Sequence, residues 1–251
     1  MKSPVIKLGA LIAVFVIAGV AVFAYTSVTE DKTSESEVEK GLAVIKELES
    51  VEVADVEKIL ESIAREKAES AQEWNERSLK ERYENAMVLG DSEAASLSAY
   101  DILSENEVAA LVGCSIEAAD EHVQAAIDAR PSVVFMTYGK NDLGRYGSPE
   151  EFVDVYAEKI STLQKGLPDA KIYITSIFPS AQFVKDERPY MANDTAFNEA
   201  LQKKAEKMNL EYIDCTELVS DEYYEPDGDH FIKDFYELWA EYLADTVGLW
   251  E

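Results

Sequence analysis

Histidine and cysteine occur only twice each in 251 residues, and 23 basic side chains face 50 acidic ones. Two cysteines, Cys114 and Cys215, allow at most one disulfide. No group of histidines, cysteines and carboxylates has metal-ligand spacing, and no repeat of fixed period occurs, so neither metal nor cofactor is implied. The shortage of bases leaves a net charge of −27. Such a polyanion is repelled by nucleic acid and by anionic lipid headgroups, so nucleic acid is excluded as a partner, while neutral or cationic substrates remain open. Glycine and proline are absent between Val51 and Asn85. With histidine so scarce, any chemistry that needs an imidazole must use His230 or His122. His122 sits among Asp120 and Glu121 in a helical stretch and is expected to be a solvated surface residue.

A long hydrophobic run occurs once. Residues 8–25 are uncharged and mostly apolar, with Lys2 and Lys7 before them and Glu30 and Asp31 after them. The run, extended back to Pro4, is about long enough to span a bilayer, and the flanking charges place the N-terminus in the cytoplasm and the rest outside. The rival reading is a cleaved signal peptide ending near Val22-Phe23-Ala24. In either case the remainder is exported. Residues 1–29 are therefore expected to be a cytoplasmic tip and signal-anchor, and 30–78 a linker and helical stalk. Residues 26–37 are polar, and Val56, Ile59, Leu60 and Ile63 form one apolar helical stripe. Such stalk helices offer a surface for self-association.

From Asn85 onward, strand-like and helix-like segments alternate. Short, apolar, often β-branched runs at 86–89, 108–112, 133–137, 171–176 and 211–213 predict buried parallel strands. Helices are predicted at 93–103, 116–129, 149–167, 194–208 and 232–247, the third opened by Ser148 as cap and Pro149 at its first position. Asn193 or Asp194 is expected to cap the fourth. This alternation predicts a three-layer α/β/α sandwich over 79–251, with a five-stranded parallel flavodoxin-like sheet of order 2-1-3-4-5. Ligands of such sheets bind beyond the carboxyl ends of the strands.

Three motifs fall at that rim: Gly90-Asp91-Ser92, Gly139-Lys140-Asn141-Asp142 and Asp227-Gly228-Asp229-His230. Ser92 follows the first strand, Gly113 the second, Asn141 the third, and His230 the fifth. A serine hydroxyl becomes nucleophilic only beside a base, which His230 supplies. Asp227, three residues earlier, can hold the other ring nitrogen. The backbone N–H groups of Ser92 and Gly113 and the amide of Asn141 are candidate oxyanion donors. The catalytic candidates are thus Ser92, Asp227 and His230. Tyr138, Tyr146, Tyr223 and Tyr224 are candidate sugar-stacking residues. Residues 178–193 form a connection long enough to be a binding loop or lid, with Arg188 as a candidate polar contact.

These motifs resemble those of the SGNH (GDSL-type) hydrolase superfamily. Gly90-Asp91-Ser92 matches its first block, Gly113 its second, Gly139 to Asp142 its third and Asp227 to His230 its fifth. The resemblance covers residues from about 79 to the C-terminus. The chain is also similar to membrane-anchored GDSL-type proteins of Gram-positive gut bacteria, around 135–143 and 223–231. It departs from the superfamily pattern at Glu93 and Asp229, two carboxylates expected to raise the pKa of His230 or to disfavour anionic substrates.

The resemblance implies a membrane-tethered serine esterase acting on a small-molecule or polysaccharide ester, with an acetyl ester on carbohydrate or cell envelope as the expected substrate. An O-acyltransferase using the same residues and a non-enzymatic cell-surface interaction module are the alternatives. The sheet order puts Cys114 and Cys215 at opposite edges, so both thiols are expected to be free.

Overall fold

Side chains along a strand alternate between faces, and here both faces are apolar. In the computed structural model, which describes Ser62 and residues 77–249, Met87 and Leu89 of β1 (Ala86–Gly90) join one buried cluster, while Ala86 and Val88 join another. β3 (Val133–Thr137) repeats this, with Val134 and Met136 on the first face and Val133 and Phe135 on the second. Together with β2 (Val108–Ala110), β4 (Lys171–Thr175) and β5 (Glu211–Ile213), they form a fully parallel sheet of order β2-β1-β3-β4-β5.

Helices close both faces. Against the first lie α3 (Asp120–Ala129), α4 (Pro149–Gly166) and α6 (Asp194–Lys207). Against the second lie α2 (Ser92–Ala99) and α7 (Lys233–Val247), which buries Phe235, Tyr236, Trp239 and Leu243. The short α1 (Leu79–Arg82) precedes β1. The predicted α/β/α sandwich and its strand order are therefore found.

Local chemistry explains most of the boundaries. The Ser148 hydroxyl accepts the Glu151 N–H and Pro149 opens α4, as its sequence predicts. β2 stops at Ala110 rather than at residue 112, because Leu111 and Val112 leave the sheet and are 61% and 72% exposed. Of the two expected caps of α6, Asn193 makes no capping bond and its amide donates to the Leu143 carbonyl, whereas Asp194 Oδ1 accepts the first-turn Thr195 N–H at 2.8 Å and its Oδ2 is held by Lys185. The long connection after β4 contains a helix, α5 (Gln182–Glu187), followed by a 3₁₀ turn at Pro189–Asn193.

Both cysteines are free and buried, as the strand order predicts. Among the described residues no helix is long and apolar enough to cross a membrane. The predicted anchor at 8–25, the linker and the stalk lie outside the described residues, apart from Ser62, Arg77 and Ser78.

Candidate active site

Because every strand runs the same way, all five carboxyl ends open on one rim. At the end of β1 the chain turns directly into α2. A Cβ at Gly90 would lie 2.1 Å from Thr137 Oγ1 and 2.6 Å from the Ala94 Cβ, so only glycine lets the turn pack this tightly. Asp91 caps α2, its Oδ1 accepting the Glu93 N–H at 3.1 Å. Ser92 is therefore the first residue of the helix, where the positive end of the helix dipole favours developing negative charge.

After β5 the chain reaches Asp227-Gly228-Asp229-His230. Asp227 Oδ1 accepts the backbone N–H groups of Asp229 (2.9 Å) and His230 (3.0 Å), and its Oδ2 lies 2.7 Å from His230 Nδ1. A carboxylate only accepts, so Nδ1 carries the proton and Nε2 is left as an acceptor. Nε2 lies 3.2 Å from Ser92 Oγ. Serine, histidine and aspartate, separated by 138 and 3 residues, thus form one hydrogen-bonded chain.

The electrostatics suit this order. Burial works against ionisation of Asp227, but the bonds from His230 and the two backbone N–H groups hold its pKa at about 2. Burial disfavours protonated His230, but its bond to Asp227 and the charges of Glu93 and Asp229 raise its pKa above the ordinary imidazole value. The expected influence of Glu93 is thus present. Glu93 is buried beside Ser92, and burial raises its own pKa; Tyr236 donates to its Oε2 at 2.7 Å.

Asn141 reaches toward the nucleophile turn. Its Nδ2 donates at 3.3 Å to both Asp91 Oδ2 and the Cys114 carbonyl. Asp142 is buried and accepts the Ile116 N–H at 3.2 Å, pinning the loop after β2. Gly113 lies on that loop at φ +76, with open space around it, next to Val112. Val112, Ala95, Ser96, Tyr100, Glu225 and His230 are among the residues that line a groove of about 220 Å³ at Ser92.

The aromatic candidates fare differently. Tyr138 is corrected: it is 1% exposed, and its hydroxyl lies 2.7 Å from His122 Nδ1, so it cannot stack on a substrate. His122 is corrected with it, being half-buried against that tyrosine rather than solvated. Tyr146 packs on Phe152, Tyr223 on Phe235 and Tyr224 on Phe231, so all three rings serve the core.

Asp229 is paired with Lys140 and Arg188, each at 3.0 Å, and accepts the Ser180 hydroxyl at 2.7 Å, and its charge is among those that raise the His230 pKa, as expected. Segment 178–193 buttresses the histidine turn, with Ala181 N–H donating to the Gly228 carbonyl and Phe183 packed against Gly228. Sequence reasoning missed a second cavity next to Asn141, lined among others by Lys140, Arg145, Arg188 and Tyr190.

The family model of the GDSL-like lipase/acylhydrolase family matches residues 66–246. No curated protein matches the sequence. Among solved structures, a GDSL-like lipase from Bacteroides thetaiotaomicron is similar at 13% identity and TM-score 0.54, covering 74% of this chain and 96% of its own. A carbohydrate esterase of family 3 from Talaromyces cellulolyticus gives 14% identity and TM-score 0.51, over 64% of this chain and 95% of its own. The lipase/acylhydrolase from Enterococcus faecalis gives 18% identity and TM-score 0.50, over 65% and 95%. At such identities the likeness is one of fold.

Proposed function

This chain belongs to the GDSL-like lipase/acylhydrolase family, and from that premise we propose that it hydrolyses acyl esters through Ser92, His230 and Asp227. The observation that carries the proposal is the unbroken chain from Ser92 Oγ through both imidazole nitrogens to Asp227 Oδ2. Ser92 Oγ attacks the acyl carbon while its proton passes to His230 Nε2. The resulting oxyanion is met by the Ser92 and Gly113 N–H groups and the Asn141 amide, which exchanges its long 3.3 Å bonds for the new charge. His230 then protonates the departing alcohol, leaving an acyl-Ser92 ester. Water attacks that ester as His230 takes its proton. The bond to Ser92 Oγ breaks, and the serine recovers its hydrogen.

The substrate reading is an acetyl ester on carbohydrate or cell-envelope polymer. The modest groove at Ser92 suits a short acyl group, and a carbohydrate esterase shares the fold. The apolar run at 8–25, with lysines before it and acids after it, supports tethering to the membrane with the catalytic domain outside.

The test is a panel of nitrophenyl esters, acetyl to long acyl, on the full chain. Acetyl esters should turn over fastest. Ser92→Ala and His230→Ala should each lower kcat by about 10³–10⁶-fold while the circular dichroism of the fold is retained. Undiminished turnover by Ser92→Ala ends the serine-esterase reading.

A further inference from the structure

In a chain with 50 acidic and 23 basic residues, a cavity beside the reaction centre that is lined by more cations than anions needs a reason. The cavity next to Asn141 is lined by Lys140, Arg145 and Arg188, against the single carboxylate of Asp229. Lys140 is buried and paired with the half-buried Asp229, and it also donates to the Phe178 carbonyl at 3.1 Å. Their charges cancel, and Arg145 and Arg188 remain as the cationic surplus. Arg188 bonds Asp229 through one nitrogen at 3.0 Å and is also hydrogen-bonded to the Tyr190 side chain. Arg145 Nε donates to the Asn141 carbonyl at 3.1 Å, which ties the guanidinium to the residue that reaches toward the nucleophile turn. Neither fork is consumed by a bidentate carboxylate partner, and such forks match the planar oxygens of carboxylate and phosphate.

A third feature specifies more than charge. Tyr190 lines the same cavity and is 44% exposed. Its ring lies so close to Gly144 that a Cβ there would sit 2.9 Å from Tyr190 Cδ2. The ring is therefore seated on bare backbone beside the arginines. An exposed aromatic next to guanidinium groups suits a ring with an apolar face and an acidic substituent. Asp229 lines this cavity and its neighbour His230 lines the groove at Ser92, so the histidine turn borders both spaces.

We propose that this cavity is a subsite for an acidic sugar of the ester substrate, with the ring on Tyr190 and its carboxylate or phosphate oxygens between Arg145 and Arg188. The proposal rests on the esterase reading for the reacting bond, but not for the binding. It runs against one of the sequence-based expectations for the acids at 93 and 229, that they disfavour anionic substrates, because in this cavity the acid at 229 is outnumbered by cations.

The test is calorimetric titration of the full chain with an oligogalacturonate, with galactose 6-phosphate, and with neutral galactose and its oligomers. An acidic ligand should bind at least about tenfold more tightly than its neutral counterpart, the scale of one charge-assisted hydrogen bond, and the gap should shrink as salt rises. Whichever acid shows the gap identifies the oxyanion. Arg145→Gln, an exposed position, should reduce the gap about tenfold, and Arg188→Lys, which keeps a charge for Asp229, should reduce it less. Equal binding of acidic and neutral ligands, or a gap that survives Arg145→Gln, overturns the subsite. Because binding is read without turnover, these outcomes stand apart from failure of the esterase reading, which the Ser92→Ala kinetics report.

Discussion

Asp227 accepts three hydrogen bonds, two from backbone and one from the imidazole, and so fixes the turn and the tautomer together. An Asp227→Asn variant would keep an acceptor for the backbone but could place an NH₂ group against Nδ1. The ring then flips its proton to Nε2 and can no longer take one from Ser92. We expect kcat to fall about 10²–10⁴-fold. The acid limb of kcat/KM should also move to lower pH, because the bond and charge that raise the His230 pKa are lost. A pH–rate profile with an unshifted limb would remove Asp227 from this role. Ser92, Asp227 and His230 were legible in the sequence because each sits in a short motif whose geometry depends on its immediate neighbours. The tyrosines were not, because composition does not say which face of a loop a ring turns to: Tyr138 went inward to His122 and Tyr190 outward over Gly144. Arg145 carried no signal at all, since its meaning comes from a cavity assembled by residues up to Asp229.

The element that decides the site is the turn between β1 and α2. Gly90 lets Thr137 of β3 donate its hydroxyl to the Leu89 carbonyl at 3.1 Å while Ala94 packs from above. Gly90→Ala forces a methyl into both contacts and should destabilise the domain by about 1–3 kcal/mol, the usual range for overpacking. Urea denaturation measures this, and a loss under about 0.5 kcal/mol would show that the turn has slack. Strand order was legible here because buried parallel strands leave uninterrupted apolar runs, and short helical connections admit few topologies. The segment at 178–193 was not. α5 spans six residues, too few for a helical period to show, and what stabilises it is its contact with the histidine turn, as in Ala181 N–H to the Gly228 carbonyl. Leu111 and Val112 misled in the opposite direction: they read as strand, but they form the exposed lip beside Gly113.

For the whole molecule, the acidic balance becomes a dependence of stability on pH. Burial, reinforced for Asp91 by the charge of Glu93, raises the carboxyls of Asp91 and Asp142 to about 7 from the ordinary 3.8. The folded state therefore binds more protons than the unfolded chain between those values, and stability must fall as pH rises through that window. His230 acts in the same direction, since its raised pKa gives stability that is complete below the unfolded value of 6.5 and is lost as pH climbs through the folded one. Repulsion within a chain of net charge −27 adds to both. At the acid end the sign reverses. Asp227, held at about 2, and Asp229, also lowered, contribute stability present above about 4 and lost as pH falls further. We therefore expect the highest Tm between about pH 4 and 6, and a Tm several degrees lower at pH 8. Asp142→Asn keeps an acceptor for the Ile116 N–H and should flatten the decline. Calorimetry across pH 4 to 8 measures both effects. A Tm that is constant or rises from pH 5 to 8 would mean that these two carboxyls ionise at no cost, and that the rim beneath Ser92 is wetter than its burial shows.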